Sequence, residues 1–233
     1  MIGTAAKNGL VLAVFAMLST VLVVLTHALT QDKIAFHKQQ SLLSQLNQVF
    51  PQALHDNDLS LSCTLLPGSK YLGTSESMPV YIAKLKGRQS GLILETIAPD
   101  GYNGPIRMLV GFNNYGRITG VRIVEHNETP GLGDKINRRV TDWVDGFMGK
   151  RLDLRNNGNT VDGATGATYR GVANVELASL TMKQWKVHKD GGQFDALTGA
   201  TITSRAVVKA TKNLSLLFHQ IVRTIARKPL NCS

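Results

Sequence analysis

Residues 106–125, IRMLVGFNNYGRITGVRIVE, decide the fold: apolar runs at Ile106–Phe112 and Arg117–Glu125 flank the turn-rich Asn113-Asn114-Tyr115-Gly116. Alternating β-branched residues on both sides of a turn that closes on glycine predict an antiparallel hairpin. Towards the N-terminus, Val80–Leu85 and Gly91–Ala98 carry the same strand signals, and Pro67–Ser77 reads as loop. Towards the C-terminus, Ile136, Val140, Trp143, Val144 and Phe147 fall on one side of a helix predicted over Lys135–Met148, with Gly149 ending it. A second helix is predicted from Ser204 to Arg227 on the stripe Val207, Ala210, Leu214, Leu217, Ile221 and Ile225, stopped by Pro229. Between them, residues 149–193 are polar and rich in Asn, Gly and Thr, with strand-like pieces only at Ala173–Leu180 and Trp185–His188. Strands that precede helices, rather than alternating with them, indicate an α+β fold with a mainly antiparallel sheet.

Ahead of this domain lies Gly9–Leu29, GLVLAVFAMLSTVLVVLTHAL, inside an uncharged run from Asn8 to Gln31. As a helix it roughly matches a ~30 Å hydrocarbon core. A cleaved signal peptide has an apolar region of only ~7–15 residues and a small-residue cleavage site. Thr26–Asp32 offers no clean one, so the run reads as an uncleaved anchor. Lys7 before it and Lys33 and Lys38 after it leave the charge asymmetry too weak to orient the span. Beyond it, Asp32–Phe50 reads as a helix whose stripe is Leu42, Leu43, Leu46, Val49 and Phe50, stopped by Pro51. The remaining composition, 43% hydrophobic and 18% charged overall, excludes a disordered chain, and the single span excludes a polytopic membrane protein.

Two cysteines, Cys63 and Cys232, fit either one disulfide in an oxidising compartment or two separate thiols. They cannot ligate a four-cysteine iron–sulfur cluster, and no metal-ligand spacing is present. The net charge is +10, with Arg205, Lys209, Lys212, Arg223, Arg227 and Lys228 on or beside the last helix. A solvated face accounts for these, as does attraction to anionic lipid or to an acidic partner surface. Nucleic acid is disfavoured as a partner of an anchored, exported domain.

The stretch before the last helix, Asp195-Ala196-Leu197-Thr198-Gly199-Ala200-Thr201-Ile202-Thr203-Ser204, combines hydroxyls, small residues and a helix start. Free first-turn amides there can meet a phosphate, or Thr203 or Ser204 can simply cap the helix. Continued to Val208, this stretch resembles the flavinylation site of the FMN-binding domain in the G subunit of Rnf-type ion-translocating oxidoreductases and in the related C subunit of sodium-pumping NADH:quinone reductase. Two further stretches resemble the same family: Ala98–Ile106, APDGYNGPI, and His126–Lys135, HNETPGLGDK.

The resemblance implies one extracytoplasmic FMN-binding domain behind a single transmembrane helix, with residues 1–31 as tail and anchor, 32–60 as amphipathic connecting helix and linker, and 61–233 as the domain. It implies FMN esterified through its phosphate to Thr201 by a dedicated flavin transferase using FAD, with Asp195, Leu197, Thr198, Gly199 and Ala200 around it. His126, Glu128, Thr129, Pro130, Gly131, Leu132 and Gly133 would form the opposite wall. No catalytic residue and no metal are expected, because the redox chemistry belongs to the flavin. The expected setting is the inner membrane, with the domain on the periplasmic side. There it relays electrons among the other subunits of a complex that couples ferredoxin/NAD electron transfer to ion movement.

The residues bear on these implications directly. A threonine hydroxyl is a poor nucleophile, so an activating enzyme is needed to form the ester. Gly199 and Ala200 leave room for the phosphate. Pro130–Gly133 would let backbone approach a planar ring with Leu132 on its face, or it is an ordinary turn with Asp134 capping the helix at Lys135. His126 and Glu128 suit hydrogen bonding or loop fixing better than proton transfer, and Tyr102 faces the flavin or caps a sheet end. A second D-x-x-T-G-A-T occurs at Asp162–Thr168, which makes Thr168 a candidate second flavinylation site, although no helical stripe follows it. The alternatives are the quinone-reductase C subunit and an anchored assembly or binding module without flavin.

Overall fold

The computed structural model describes residues 2–154 and 178–232. The chain divides into two compact units, Met1–Ser44 and Gln45–Ser233. One long helix, α1 (Ile2–Val49), makes up the first unit and contributes its last residues to the second. Within it Ala6–Gln31 has a mean hydropathy of 2.5 and no burial against protein. At 1.5 Å per residue that stretch is about 39 Å long, enough to cross a bilayer. The helix predicted over Asp32–Phe50 is the unbroken continuation of α1, and Pro51 follows its end.

The second unit is built on a five-stranded antiparallel sheet in chain order: β1 (Cys63–Leu66), β2 (Met78–Leu85), β3 (Arg88–Ala98), β4 (Ile106–Asn113) and β5 (Ile118–Glu125). The predicted hairpin joins β4 to β5. Asn113 Oδ1 accepts from the N–H groups of Tyr115 and Arg117, each at 3.0 Å, and Gly116 takes the left-handed φ of +75° that closes the turn. On one face, Val80, Ile82, Leu92, Leu94, Met108, Val110 and Val121 share a core with α2 (Thr201–Ile221) through Val207, Ala210, Leu214 and Leu217. Phe112 stacks on Phe218 with ring centroids 5.1 Å apart.

The other face is smooth where three strands carry glycine. Gly91, Gly111 and Gly120 lie on β3, β4 and β5, and residues 48–50 run over them. A Cβ on Gly120 would sit 2.8 Å from the Val49 carbonyl oxygen, and one on Gly111 would sit 2.8 Å from the same atom. Thr119 Oγ1 donates to that carbonyl at 2.8 Å. Farther along the same face, Arg107 pairs with the mostly buried Glu95 at 3.2 Å, next to Tyr81. Burial pushes the Glu95 carboxyl above its ordinary value, partly offset by Arg107. Burial and the nearby Glu95 charge push the Tyr81 phenol up to about 12.

Cys63 and Cys232 form a disulfide, with Cα atoms 5.5 Å apart. The tail follows the open edge of β1. Asn231 N donates to Cys63 O at 3.1 Å, Asn231 Oδ1 accepts from Leu65 N at 2.9 Å, and Thr64 Oγ1 donates to Pro229 O at 2.9 Å.

Five expectations are corrected. The helix predicted over Lys135–Met148 is two 3-10 turns, Gly133–Ile136 and Trp143–Phe147. Side chains compete with the backbone there: Thr141 Oγ1 donates to Lys135 O at 2.6 Å, and Asn137 Oδ1 accepts from Arg139 N at 3.0 Å. Asp134 therefore caps no helix; it lies inside the first turn, which has no side-chain cap. The last helix starts at Thr201 rather than Ser204 and ends at Ile221, with a separate 3-10 turn at Ile225–Arg227. Trp185–His188 is no strand. Val187 makes one bridge to Phe194 while the buried Trp185 and Val187 anchor a turn. Of the strand-like Ala173–Leu180, only Ser179–Leu180 is a strand (β7), pairing in parallel with Arg151–Leu152 (β6), and residues 173–177 lie outside the described residues.

Candidate functional site

At the start of α2, Ala200 holds φ −135° and ψ 44° and no side chain caps the helix, contrary to a capping role for Thr203 or Ser204. Ser204 instead ties back the turn before the helix: its Oγ accepts from Leu197 N at 3.0 Å and donates to Ala200 O at 3.0 Å. Gly199 takes φ +80° in that turn, a conformation that strains any residue bearing a Cβ. The result presents Thr201 at the first helical position with its hydroxyl partly exposed, beside first-turn amides that have no intrahelical acceptor.

Thr201 opens onto a pocket of about 570 Å³. Its walls come from three segments besides the helix start: Tyr102 in the β3–β4 loop, Glu128, Thr129, Leu132 and Gly133 after β5, and Lys189. Glu128 joins these walls. It is 4% exposed; its Oε2 accepts from Thr203 Oγ1 at 2.7 Å and its Oε1 from Asn103 N at 3.2 Å. Gly133 is required beside it, because a Cβ there would lie 2.7 Å from Glu128 Oε2 and 3.2 Å from Thr203 Oγ1. The carbonyl of Thr129 accepts from Leu132 N, Gly133 N and Asp134 N, at 3.2, 3.0 and 3.3 Å, and so draws the loop into a tight curl. Tyr102, Leu132 and Ile202 stand partly exposed around the pocket and offer apolar surface for a flat ring.

Among the residues singled out in sequence, Glu128, Thr129, Leu132, Gly133, Gly199, Ala200 and Thr201 come together here, with Tyr102. His126, Pro130, Gly131 and Thr198 do not line the pocket. His126 Nδ1 accepts from Glu128 N at 3.2 Å, which fixes the loop and puts the proton of the neutral ring on Nε2. Pro130 and Gly131 form the exposed tip of the curl. Asp195 and Leu197 line a neighbouring cavity of about 500 Å³ floored by Trp143, Phe147 and Phe194. Trp143 Nε1 donates to Asp195 O at 2.9 Å, and the Asp195 side chain points outward towards His188. Thr168 lies outside the described residues. Lys189 lies outside the motifs, Ile202 lies within the last one without a role assigned to it, and Thr203 entered only as a possible cap. The one sequence cue for Lys189 is that it opens the turn-forming Lys189-Asp190-Gly191-Gly192 ahead of the motif.

Comparison with known proteins gives the family of the chain. Residues 1–49 match the family described as RnfG N-terminal region, and the FMN-binding domain family matches over residues 101–183 and 170–215. The G subunit of an ion-translocating oxidoreductase complex from Aliivibrio fischeri strain ES114 is 47% identical over 232 residues, covering 100% of this chain and 99% of its own. The corresponding proteins of Shewanella oneidensis and of Vibrio cholerae strain M66-2 are each 45% identical over 226 residues, covering 97% of this chain and 95% and 96% of their own.

Proposed function

The chain belongs to the family of G subunits of ion-translocating oxidoreductase complexes and carries an FMN-binding domain, and from that premise we propose that it is an electron-relay subunit whose FMN is covalently bound to Thr201. A flavin transferase would supply the FMN from FAD. The observation that carries the attachment is the placement of Thr201 Oγ1 at the lip of the glycine-walled pocket, reachable from outside and next to apolar surface.

The residues present fit the group. The pocket volume falls in the ~300–1,000 Å³ range of small-ligand sites, and Tyr102, Leu132 and Ile202 give its lining apolar surface for a flat ring. When bound, FMN supplies the one- and two-electron chemistry that side chains lack. The protein's part is to tether and orient it. The Thr201 ester would prevent loss by dissociation, the Leu132, Ile202 and Tyr102 side chains would flank the ring, and the Glu128 hydrogen bonds tie the segment after β5 to the β3–β4 loop and to the start of α2. The subunit would exchange electrons with the other subunits of its complex and turn nothing over alone.

The domain is proposed to stand on the periplasmic side of the inner membrane, supported by the Cys63–Cys232 disulfide, a bond that persists in oxidising compartments. The basic residues at Arg223, Arg227 and Lys228 suit the surface of anionic lipid. Similarity to G subunits along the whole chain favours this reading over a quinone-reductase C subunit.

Co-expression of the full chain with a flavin transferase tests the attachment. Wild type is expected to keep flavin fluorescence on a denaturing gel, and Thr201→Val to lose at least nine-tenths of it. Peptide mass mapping of the same samples reads the second motif, where a flavin-bearing Thr168 peptide in wild type would identify a second site. Wild type without fluorescence overturns the proposal.

A further inference from the structure

Lys189 stands outside every recognised motif, yet its ammonium is the group that rests on the proposed attachment atom. Lys189 Nζ donates to Thr201 Oγ1 at 3.1 Å. The turn that carries it is held by its neighbours. Lys189 lies in the 3-10 turn His188–Asp190, which Gly191 ends at φ +76°. Arg205, on the second turn of α2, grips Asp190 with Nε at 2.8 Å and Nη2 at 2.6 Å. Gly192 closes the other side, since a Cβ there would meet the Lys186 carbonyl oxygen at 1.9 Å.

This clamp assigns the charges. Asp190 occupies the Arg205 guanidinium, so Lys189 is the cation that lines the pocket. The other charged residue lining it, Glu128, is an anion already engaged by Thr203 and Asn103. A phosphodiester made at Thr201 adds a second negative charge to the same small space, and a mobile ammonium with three donors is suited to meet it.

We propose that Lys189 is the phosphate-binding residue of this domain: its ammonium passes from the Thr201 hydroxyl to the non-bridging phosphate oxygens as the ester forms, and remains there. The proposal rests on attachment at Thr201. In the transfer, the bond from Thr201 Oγ1 to the phosphorus of the FMN half of FAD forms as the phosphorus–oxygen bond to AMP breaks. AMP leaves, the hydroxyl proton goes to a base on the transferase, and nothing is oxidised or reduced. Lys189 keeps its protons throughout and neutralises charge that builds on the phosphate oxygens. Because Lys189 is exposed, replacing it leaves the fold intact.

The test follows the loading of detergent-solubilised full-length wild type, Lys189→Met, Lys189→Arg and Thr201→Val with purified flavin transferase and FAD, read as covalent fluorescence against time. Lys189→Met is expected to load at least tenfold more slowly, and Lys189→Arg to recover most of the rate. After prolonged incubation, the phosphodiester phosphorus resonance of loaded Lys189→Met should be displaced from that of wild type. Loading at the wild-type rate overturns the proposal. So does slow loading that ends in an unshifted resonance, which would make Lys189 a contact for the transferase rather than for the phosphate. Wild type that takes up no flavin defeats attachment at Thr201, and this inference with it.

Discussion

Glycines line two surfaces of this domain, and the chain fills one and leaves the other open. Over Gly91, Gly111 and Gly120 lie residues 48–50, so close that a Cβ would strike backbone or the Phe50 ring. At Gly199, which lines the pocket, a Cβ would meet only the terminal methyl of Leu132. In the first case glycine is required because another backbone occupies the space. In the second it is required because the turn adopts a left-handed φ, and the space stays free for a ligand.

The largest effect is expected where the seat is full. Gly120→Val should cost about 3 kcal/mol, because the Val49 backbone it would strike cannot rotate away. Denaturant unfolding of the full chain in detergent measures this, and a variant as stable as wild type breaks the comparison. Gly199→Ala should cost about 1–2 kcal/mol from φ strain alone, since the Leu132 methyl can move aside. It should also reduce flavin loading, which sharpens the contrast, because Gly120→Val variants that still fold should load normally.

The smallest effect concerns Glu95, on the filled face. Its carboxyl sits above the ordinary value because burial disfavours the charge. The folded chain therefore holds this proton more tightly than the unfolded one. The resulting stability is fully present in acid, below the unfolded value, and is lost as pH rises through the raised folded value. Glu95→Gln should accordingly be more stable than wild type at pH 8, with the advantage gone at pH 4, measured as the difference in unfolding midpoints. An equal difference at both values would contradict the assignment.

Strands β2–β5 were legible because alternation and turn residues are local signals. Strand β1 was not, because Cys63–Leu66 is short and is held in place by β2 and by the distant tail. Residues 135–148 misled because Ile136, Val140, Val144 and Phe147 recur at helical spacing. Val140 is half exposed, however, and the hydroxyl of Thr141 and the carboxamide of Asn137 take the backbone groups a helix would need. In the pocket, the residues carried by contiguous motifs were readable, and Lys189 was not. It reaches Thr201 only because Asp190 meets Arg205, a pairing between a turn and a helix that no spacing rule announces.

The tail beside β1 has a consequence for the protein in company. The strand's outward amide and carbonyl groups at Leu65 and Cys63 are taken by the Asn231 carboxamide and amide, and Pro229 brings no N–H of its own. The stopper thus satisfies the rim without extending the ladder, so a neighbouring copy finds no row of donors to zip onto. The disulfide keeps that stopper seated, and anchored copies crowded in one bilayer can lie side by side without being drawn into a shared sheet.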